Sequence, residues 1–346
     1  MDDWRARERV RNARRRVAVM ALPVLPVRHN GVITHPAAGD VLVSSSIGPD
    51  GEFVGLWASA GDHAAFSSTT TQPGWATFPD PRTPRPIAAR VTVQARDHDA
   101  TVRIAELSLA HPMVQVLPGG RVLVVAARCR WSPAGPQRNA IIYGPDGETL
   151  LAQTVGDGIE HVVTTRTGRV WIGYFDEGVY GNFGWGGAGG PSPIGAPGLV
   201  RFTDALQPDW RFPSHTDNPW GPIDDCYAFN VDGETASVCY YSAFPVVRVE
   251  GGTVTWWRND VVSGARALAV SDRRVVLVGG LGPDHDWLVM GELADGQVRH
   301  RGEYRLVLPD GSPLQEAAVF GRTLHLVSGA ARYRLDLDDI PEARDP

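Results

Sequence analysis

A short cassette decides the fold of this chain, and its clearest copy covers residues 117–129 (LPGGRVLVVAARC). The cassette joins the end of one strand-like run, a tight turn, and a second run dominated by β-branched and aliphatic residues. Copies recur at intervals of roughly 40–65 residues, a spacing typical of repeat architectures. The other copies lie at residues 166–174 (RTGRVWIGY), 231–240 (VDGETASVCY), 271–280 (SDRRVVLVGG), 320–328 (FGRTLHLVS) and, more faintly, 38–45 (AGDVLVSS).

A supersecondary unit repeated at this period, with about four strand-like runs per unit, predicts an all-β repeat fold. Pro-Asp-Gly turns at residues 49–51, 145–147 and 309–311 separate the runs, and such turns favour β-hairpins. On these features the chain resembles the β-propeller superfamily over nearly its whole length. The resemblance is architectural, because blade-end Trp-Asp dipeptides, Asp-boxes, YWTD motifs and kelch double glycines are missing from the sequence. It implies a fold and no particular function.

The resemblance implies a single β-propeller domain of about six four-stranded blades over residues 15–340. An Arg-rich extension (1–14) would precede this domain and a short tail (341–346) would follow it. Five blades are predicted at residues 111–155, 159–212, 223–258, 264–307 and 314–337. The sixth is predicted within residues 31–109, with strands near Val32, Val41, Val91 and Val102. This region carries an insertion at 55–86, and two further strands inside it would raise the count to seven blades.

The last predicted blade has only three clear strands, so a fourth must come from elsewhere in the chain. We expect residues 15–22 to supply it, in the blade that contains Leu324 and Tyr333. Joining the two ends of the chain in one blade would remove sheet edges that otherwise invite aggregation.

Composition excludes several classes of function. The formal net charge is −6, which disfavours non-specific binding to the phosphates of nucleic acids. All 33 basic residues are arginine, so the chain has no lysine for a Walker P-loop, a Schiff base or pyridoxal phosphate. No apolar stretch is long enough to span a membrane. Residues 14–26 (RRRVAVMALPVLP) imitate a signal peptide without a cleavage site, and we therefore expect a cytoplasmic protein.

The three cysteines, Cys129, Cys226 and Cys239, are odd in number and widely spaced. This arrangement indicates neither a disulfide framework nor a zinc site. We expect buried free thiols. The alternative is a disulfide between Cys226 and Cys239, which could lie on adjacent strands of one blade.

The resemblance also implies where functional residues would gather. In propellers the inner strand of each blade begins at the face from which the loops joining second and third strands emerge. The residues that this arrangement places near the channel mouth are His35, His111, Glu160, His161, Asp224, Asp225, Arg266 and Glu316 at strand starts, and Trp131, Asp176, Glu177, Trp185, Trp220, Asp284, His285 and Asp286 in loops. Imidazoles and carboxylates converging there would suit a metal site or acid–base chemistry, or simply a wet polar surface.

The segment 174–199 (YFDEGVYGNFGWGGAGGPSPIGAPGL) is far longer than a hairpin requires. Its aromatic content predicts a structured loop folded over the central face and not a solvated linker. The formal GxGxxG match at 184–189 does not indicate a dinucleotide site, because Pro191 and Pro193 follow it where a helix would be needed.

The leading hypothesis is a ligand- or protein-binding module that presents an aromatic- and acid-rich face to a protein, peptide or glycan. The predicted binding residues are Phe175, Asp176, Glu177, Tyr180, Trp185, Trp220, Asp225, Glu316, His161, His111 and Arg266. We expect no cofactor, and no metal requirement for folding. The alternative is a lyase or hydrolase that uses His and carboxylate residues at the channel mouth, with or without a divalent metal. A third hypothesis is a structural subunit that uses the edge near the insertion.

Overall fold

The computed structural model describes residues 2–71, 74, 76–96, 98–312, 314 and 317–341. The chain divides into two compact units, one formed by Met1–Ile33 with Tyr227–Pro346 (unit 1) and one formed by Thr34–Cys226 (unit 2). The described strands form six blades of at least four strands each. The protein is therefore a six-bladed β-propeller, as the cassette predicts.

The chain begins with a helix and two short strands that belong to unit 1. They are α1 (Asp2–Met20), β1 (Val24–Pro26) and β2 (Arg28–Val32). None of the described helices combines the length and apolarity needed to cross a membrane.

Unit 2 contains three four-stranded blades with their connecting elements. The first blade and its insertion comprise β3 (Asp40–Ile47), β4 (Phe53–Ser59), a 3-10 helix (His63–Ser67), β5 (Thr69–Thr71), β6 (Thr77–Pro79), β7 (Arg82–Gln94) and β8 (Asp99–Leu109). The second comprises β9 (Pro112–Leu117), β10 (Arg121–Ala126), β11 (Trp131–Ser132), β12 (Gly135–Pro136), β13 (Ala140–Tyr143) and β14 (Thr149–Gln153). The third comprises β15 (Ile159–Thr164), β16 (Val170–Tyr174), α2 (Asp176–Tyr180), β17 (Leu199–Phe202) and β18 (Pro208–Arg211).

Unit 1 contains the other three blades, the first of which begins at the boundary between the units. That blade comprises β19 (Asp225–Asp232), β20 (Thr235–Tyr241), β21 (Val246–Glu250) and β22 (Thr253–Trp257). The next comprises β23 (Ala267–Ser271), β24 (Arg274–Val278), β25 (Trp287–Ala294) and β26 (Gln297–Val307). The last comprises β27 (Ala317–Phe320), β28 (Thr323–Ser328) and β29 (Ala331–Asp336), followed by a 3-10 helix (Leu337–Asp339).

The second strand of each blade explains why the cassette is so apolar. In β10 and β16 nearly every residue is buried, so both faces of the strand are covered and alternation of polar and apolar residues is lost. The turns between strands are equally constrained. Gly147 has φ +87°, and a Cβ there would overlap the Arg103 carbonyl oxygen, so this turn requires glycine.

The insertion in the first blade does contain two further strands, yet it does not create a seventh blade. β5 and β6 pair only with each other, while β4 pairs directly with β7. The strand predicted near Val32 is β2, which belongs to another blade. The second strand of this blade is β4. Residues 53–58 are all buried and form the apolar strand that the blade requires.

Closure of the last blade by an N-terminal strand is confirmed, but the predicted residues 15–22 are wrong. Those residues lie mostly in α1, and the closing strand is β2, which pairs antiparallel with β29 and sets His29 opposite Tyr333. Leu324 lies one strand further in, on β28. β1 adds a fifth strand to the neighbouring sheet by pairing parallel with β26. Ion pairs from α1 to Asp284 and Asp286 of the same unit stabilise residues 15–20 as a helix, against their strand-like pattern.

All three cysteines are buried and not disulfide-bonded. Burial raises the pKa of the Cys129 and Cys239 thiols to about 12. Thiols with such high pKa values are poor nucleophiles, which fits the expected structural role.

Candidate functional site

The loops between second and third strands of the three blades in unit 2 contact one another. Phe78 and Phe183 stack edge to face with ring centroids 6.1 Å apart, and the Trp131 amide donates to the Phe183 carbonyl at 2.9 Å. We call the surface formed by residues 60–71, 76–81, 127–139 and 175–198 the loop face of unit 2. The long segment 174–199 contributes to this face beginning with α2, and it contacts the neighbouring loops of unit 2.

Two glycines allow α2 to lie directly on the preceding strand connection. A Cβ on Gly178 would overlap the Asp157 carbonyl oxygen, and a Cβ on Gly158 would overlap the Gly178 amide. The Phe175 amide also donates to the Gly158 carbonyl at 2.9 Å. The backbone of α2 is thereby fixed against unit 2, and the side chains of Asp176 and Tyr180 are presented outward.

A buried arginine lies under α2. Arg128 forms a bidentate ion pair with Asp157, with Nε–Oδ1 and Nη2–Oδ2 distances of 3.0 Å each. Its Nη1 lies 2.6 Å from Glu177 Oε2, and its guanidinium carbon lies 4.4 Å from the Phe183 ring centroid and 5.6 Å from that of Phe175. Burial raises the pKa of Asp157 while Arg128 opposes that rise. Glu177 and Phe175 therefore form part of the support beneath the loop.

Four carboxylates and one tyrosine ring form what we call the acidic patch: Glu160, Asp176, Tyr180, Asp224 and Asp225. The Tyr180 hydroxyl donates to Asp224 Oδ1, and this bond raises the tyrosine pKa to about 12. Tyr180 is 65% exposed. Partial burial, together with repulsion from Glu160 and Asp176, raises the pKa of Asp225 to about 6. The patch thus collects negative charge on an accessible surface beside an aromatic ring.

Two predicted histidines bind backbone carbonyl groups. His161 Nε2 lies 3.1 Å from the Cys226 carbonyl oxygen, and His111 Nε2 lies 2.8 Å from that of Ser68. His111 also has φ +46° and donates its amide to Phe66, so it fixes the turn between β8 and β9. These contacts give both imidazoles a role in positioning the loops of unit 2.

The two predicted tryptophans differ from Tyr180 in exposure. Trp185 is 5% exposed and donates its Nε1 to the Cys129 carbonyl at 2.8 Å, so its ring packs below the loop face. Trp220 is half-buried, and its Nε1 lies 3.3 Å from the Pro213 carbonyl oxygen.

Two further predicted residues are Arg266 and Glu316. Arg266 is an exposed residue of unit 1, next to β23. Glu316 lies outside the described residues. Among the residues that the structure describes, no group of three or more His, Cys, Asp or Glu side chains is placed to hold a metal ion.

Sequence reasoning did not single out Arg128 and Asp157, which are 29 residues apart in the chain. A local signal did exist, since Asp157 lies between Gly156 and Gly158, and both glycines have positive φ. A carboxylate at such a turn is well placed to accept backbone hydrogen bonds, and Asp157 Oδ1 accepts the Cys129 amide at 2.6 Å.

Comparisons with known proteins give limited matches. The profile of the YxzG family matches residues 215–286, which is a minor part of the chain. No curated protein matches the sequence.

Solved structures with a similar fold were found at low identity. A gluconolactonase from Xanthomonas campestris is 13% identical, with 91% of this chain and 99% of that chain covered and a TM-score of 0.43. Apo AztD from Citrobacter koseri is 10% identical, with 87% and 84% covered and a TM-score of 0.41. The β-propeller domain of the Trilobed protease from Pyrococcus furiosus is 10% identical, with 87% and 82% covered and a TM-score of 0.41. Likenesses this distant transfer no activity to this chain, whose six-bladed β-propeller fold rests on its own strand topology.

Proposed function

We propose that this protein is a binding module whose acidic patch on unit 2 receives a cationic side chain of a protein or peptide partner. The observation that supports the proposal is the gathering of four carboxylates beside the exposed Tyr180 ring. None of the four forms an ion pair with a described arginine. Asp225 has a pKa of about 6 because of partial burial and, in addition, repulsion from Glu160 and Asp176.

A guanidinium or ammonium group would relieve this repulsion. It would bring opposite charge to Asp224 and Asp225 and would lower the pKa of Asp225 toward its ordinary value. The face of the Tyr180 ring offers a cation–π contact to the same group. Because the patch is anionic, a basic peptide suits it better than a neutral glycan does.

The test uses an arginine-rich peptide, four Gly-Arg repeats long, titrated calorimetrically into the full chain. Asp224→Asn/Asp225→Asn should weaken binding at least about tenfold, because the charges that attract the peptide are removed. The matched control is Asp99→Asn/Asp146→Asn, which changes the net charge equally at two exposed positions of unit 2. Affinity for the unchanged protein should fall as the pH is lowered from 7 to 5, since Asp225 becomes protonated.

If the two double variants lose the same peptide affinity, the effect depends only on net charge and the proposal is wrong. The same holds if the peptide binds as well at pH 5 as at pH 7. Tighter binding of a neutral oligosaccharide than of the peptide would favour a glycan ligand.

A lyase or hydrolase is the second candidate function, and Asp225 is the observation that favours it. A carboxyl group with a pKa of about 6 is suited to exchange protons near neutral pH. This candidate requires a substrate whose turnover, and not only its binding, is lost in Asp225→Asn.

A further inference from the structure

The end of α1 docks into unit 1 through two adjacent arginines. Arg15 Nε lies 2.6 Å from Asp284 Oδ2, and the Arg15 guanidinium carbon lies 4.4 Å from the ring centroid of Trp287. Arg16 binds Asp286 through both terminal nitrogens, with an Nη2–Oδ2 distance of 2.8 Å. We call the group of Gly280, Asp284, Asp286 and Trp287 the arginine pocket.

The pocket is rigidly built. Asp284 is 0% exposed, Asp286 is 1% exposed and Trp287 is 9% exposed. Trp287 donates its Nε1 to Glu303 Oε2 at 3.0 Å, which fixes the ring face that Arg15 covers. The loop backbone is held as well, since the Asp286 carbonyl accepts the Leu306 amide at 2.7 Å.

Glycine makes room for the bound guanidinium. A Cβ on Gly280 would overlap Arg15 Nη2, so any other residue at position 280 would require the guanidinium to shift from this position. A planar cation against an indole face and a carboxylate is a recognised mode of guanidinium binding.

Arg15 leaves some hydrogen-bonding groups of the pocket without a partner. Both carboxylate oxygens of Asp284 are buried and accept no hydrogen bond of good geometry from the described residues, although Oδ2 is ion-paired with Arg15. Arg15 Nη2 is likewise buried without an acceptor there. The buried carboxylate can therefore accept a further donor, which a better-aligned guanidinium would supply.

We propose that the arginine pocket is a binding site for an arginine pair, that α1 occupies it in cis, and that an arginine pair of a partner peptide can take its place. Removing α1 alone would leave two buried carboxylates without a counter-charge, which is strongly unfavourable. Release of α1 is therefore coupled to the arrival of another guanidinium, and the site works by exchange.

The attachment of α1 is suited to exchange because Arg15, Arg16 and Val19, which contact the rest of unit 1, lie close together near one end of the helix. Val19 is 3% exposed and belongs to a hydrophobic cluster of unit 1. By contrast, Val10 is 52% exposed and Val17 is 72% exposed. Most of the described apolar side chains of the helix are thus in solvent, while Arg15, Arg16 and Val19 anchor its end.

The test measures binding of a fluorescent peptide with the sequence of residues 2–20 to the full-length chain. Arg15→Gln/Arg16→Gln in the chain vacates the pocket, and this variant should bind the peptide at least about tenfold more tightly than the unchanged chain does. Adding Asp284→Asn/Asp286→Asn to that variant should abolish the gain. Adding Asp99→Asn/Asp146→Asn instead, which changes the net charge equally at two exposed positions, should leave it intact and so separates the pocket from an effect of net charge.

A second measurement uses the unchanged protein and avoids any risk of misfolding. Millimolar peptide should speed hydrogen exchange of the amides of residues 15–20, and a peptide with glutamine at both arginine positions should not. If the glutamine peptide acts equally, or if the vacated variant binds no more tightly than the unchanged chain, the two ion pairs are a structural anchor only and the proposal is wrong.

Discussion

Tyr180 and Trp185 lie five residues apart in the same loop of unit 2, yet their side chains have opposite surroundings. Tyr180 is 65% exposed and contacts solvent beside Asp224, whereas Trp185 is 5% exposed and donates to a main-chain carbonyl. One loop therefore combines a residue available to a partner with a residue that holds the loop in place.

At the residue scale we expect substitution of Tyr180 to affect binding and substitution of Trp185 to affect stability. Trp185→Ala should lower the free energy of unfolding by about 3–5 kcal/mol, because it leaves a cavity and an unpaired carbonyl. Tyr180→Ala should change it by less than about 1 kcal/mol, since surface substitutions cost little, while weakening peptide binding. Urea unfolding of both variants measures the difference, and equal losses of stability would contradict this division of roles.

The residues of this loop also show how far the sequence could predict the site. Its length and aromatic content predicted a structured loop, and α2 and its contacts agree. The burial of Trp185 was not predictable, because it depends on a carbonyl at Cys129 that only the folded chain brings near. For the same reason the sequence could not indicate that Glu177 pairs with Arg128.

At the scale of single elements, the N-terminal segment makes the clearest prediction. Deleting residues 1–13 should leave the melting temperature nearly unchanged, because Arg15, Arg16 and Val19 still dock α1 on unit 1. Deleting residues 1–32 should abolish cooperative unfolding and promote aggregation, because the edges of β29 and β26 lose β2 and β1. Calorimetry and size-exclusion chromatography of both truncated chains test this. A well-folded monomer after the longer deletion would show that closure is dispensable.

The blades could be predicted from the sequence, whereas the closing strand could not. The six blades followed from repeated turns and apolar runs, which are local signals and survive in the structure. Residues 15–22 were wrongly predicted as the closing strand, because their β-branched pattern is local while the ion pairs that keep them helical are not. Asp284 and Asp286 are far away in sequence, and no local pattern links them to Arg15 and Arg16.

For the molecule as a whole, the free energy of unfolding should depend on pH through two opposed groups. Burial lowers the pKa of His325 to about 4, so stability is lost as the pH falls from about 6.5 toward 4, by at most about 3 kcal/mol. Asp225 acts in the other direction. Its pKa of about 6 means that stability is gained as the pH falls from above 6 toward 4.

Single variants separate these contributions. His325→Gln should be less sensitive to acid than the unchanged protein between pH 6.5 and 4. Asp225→Asn should be more stable than the unchanged protein at pH 8 and no more stable at pH 4. Denaturant titrations at four pH values would measure both, and a pH profile left unaltered by either substitution would contradict the assignment.

The closing strand has a consequence for biosynthesis. β2 ends at Val32 and β29 begins at Ala331, so a ribosome must add about 300 residues before the two can pair. At common rates of about 5–20 residues per second, β2 waits roughly 15–60 seconds for its partner. All three blades of unit 2 emerge during that delay, and unit 1 is finished last. The nascent chain must therefore keep an unpaired strand from associating with neighbouring chains for most of its synthesis.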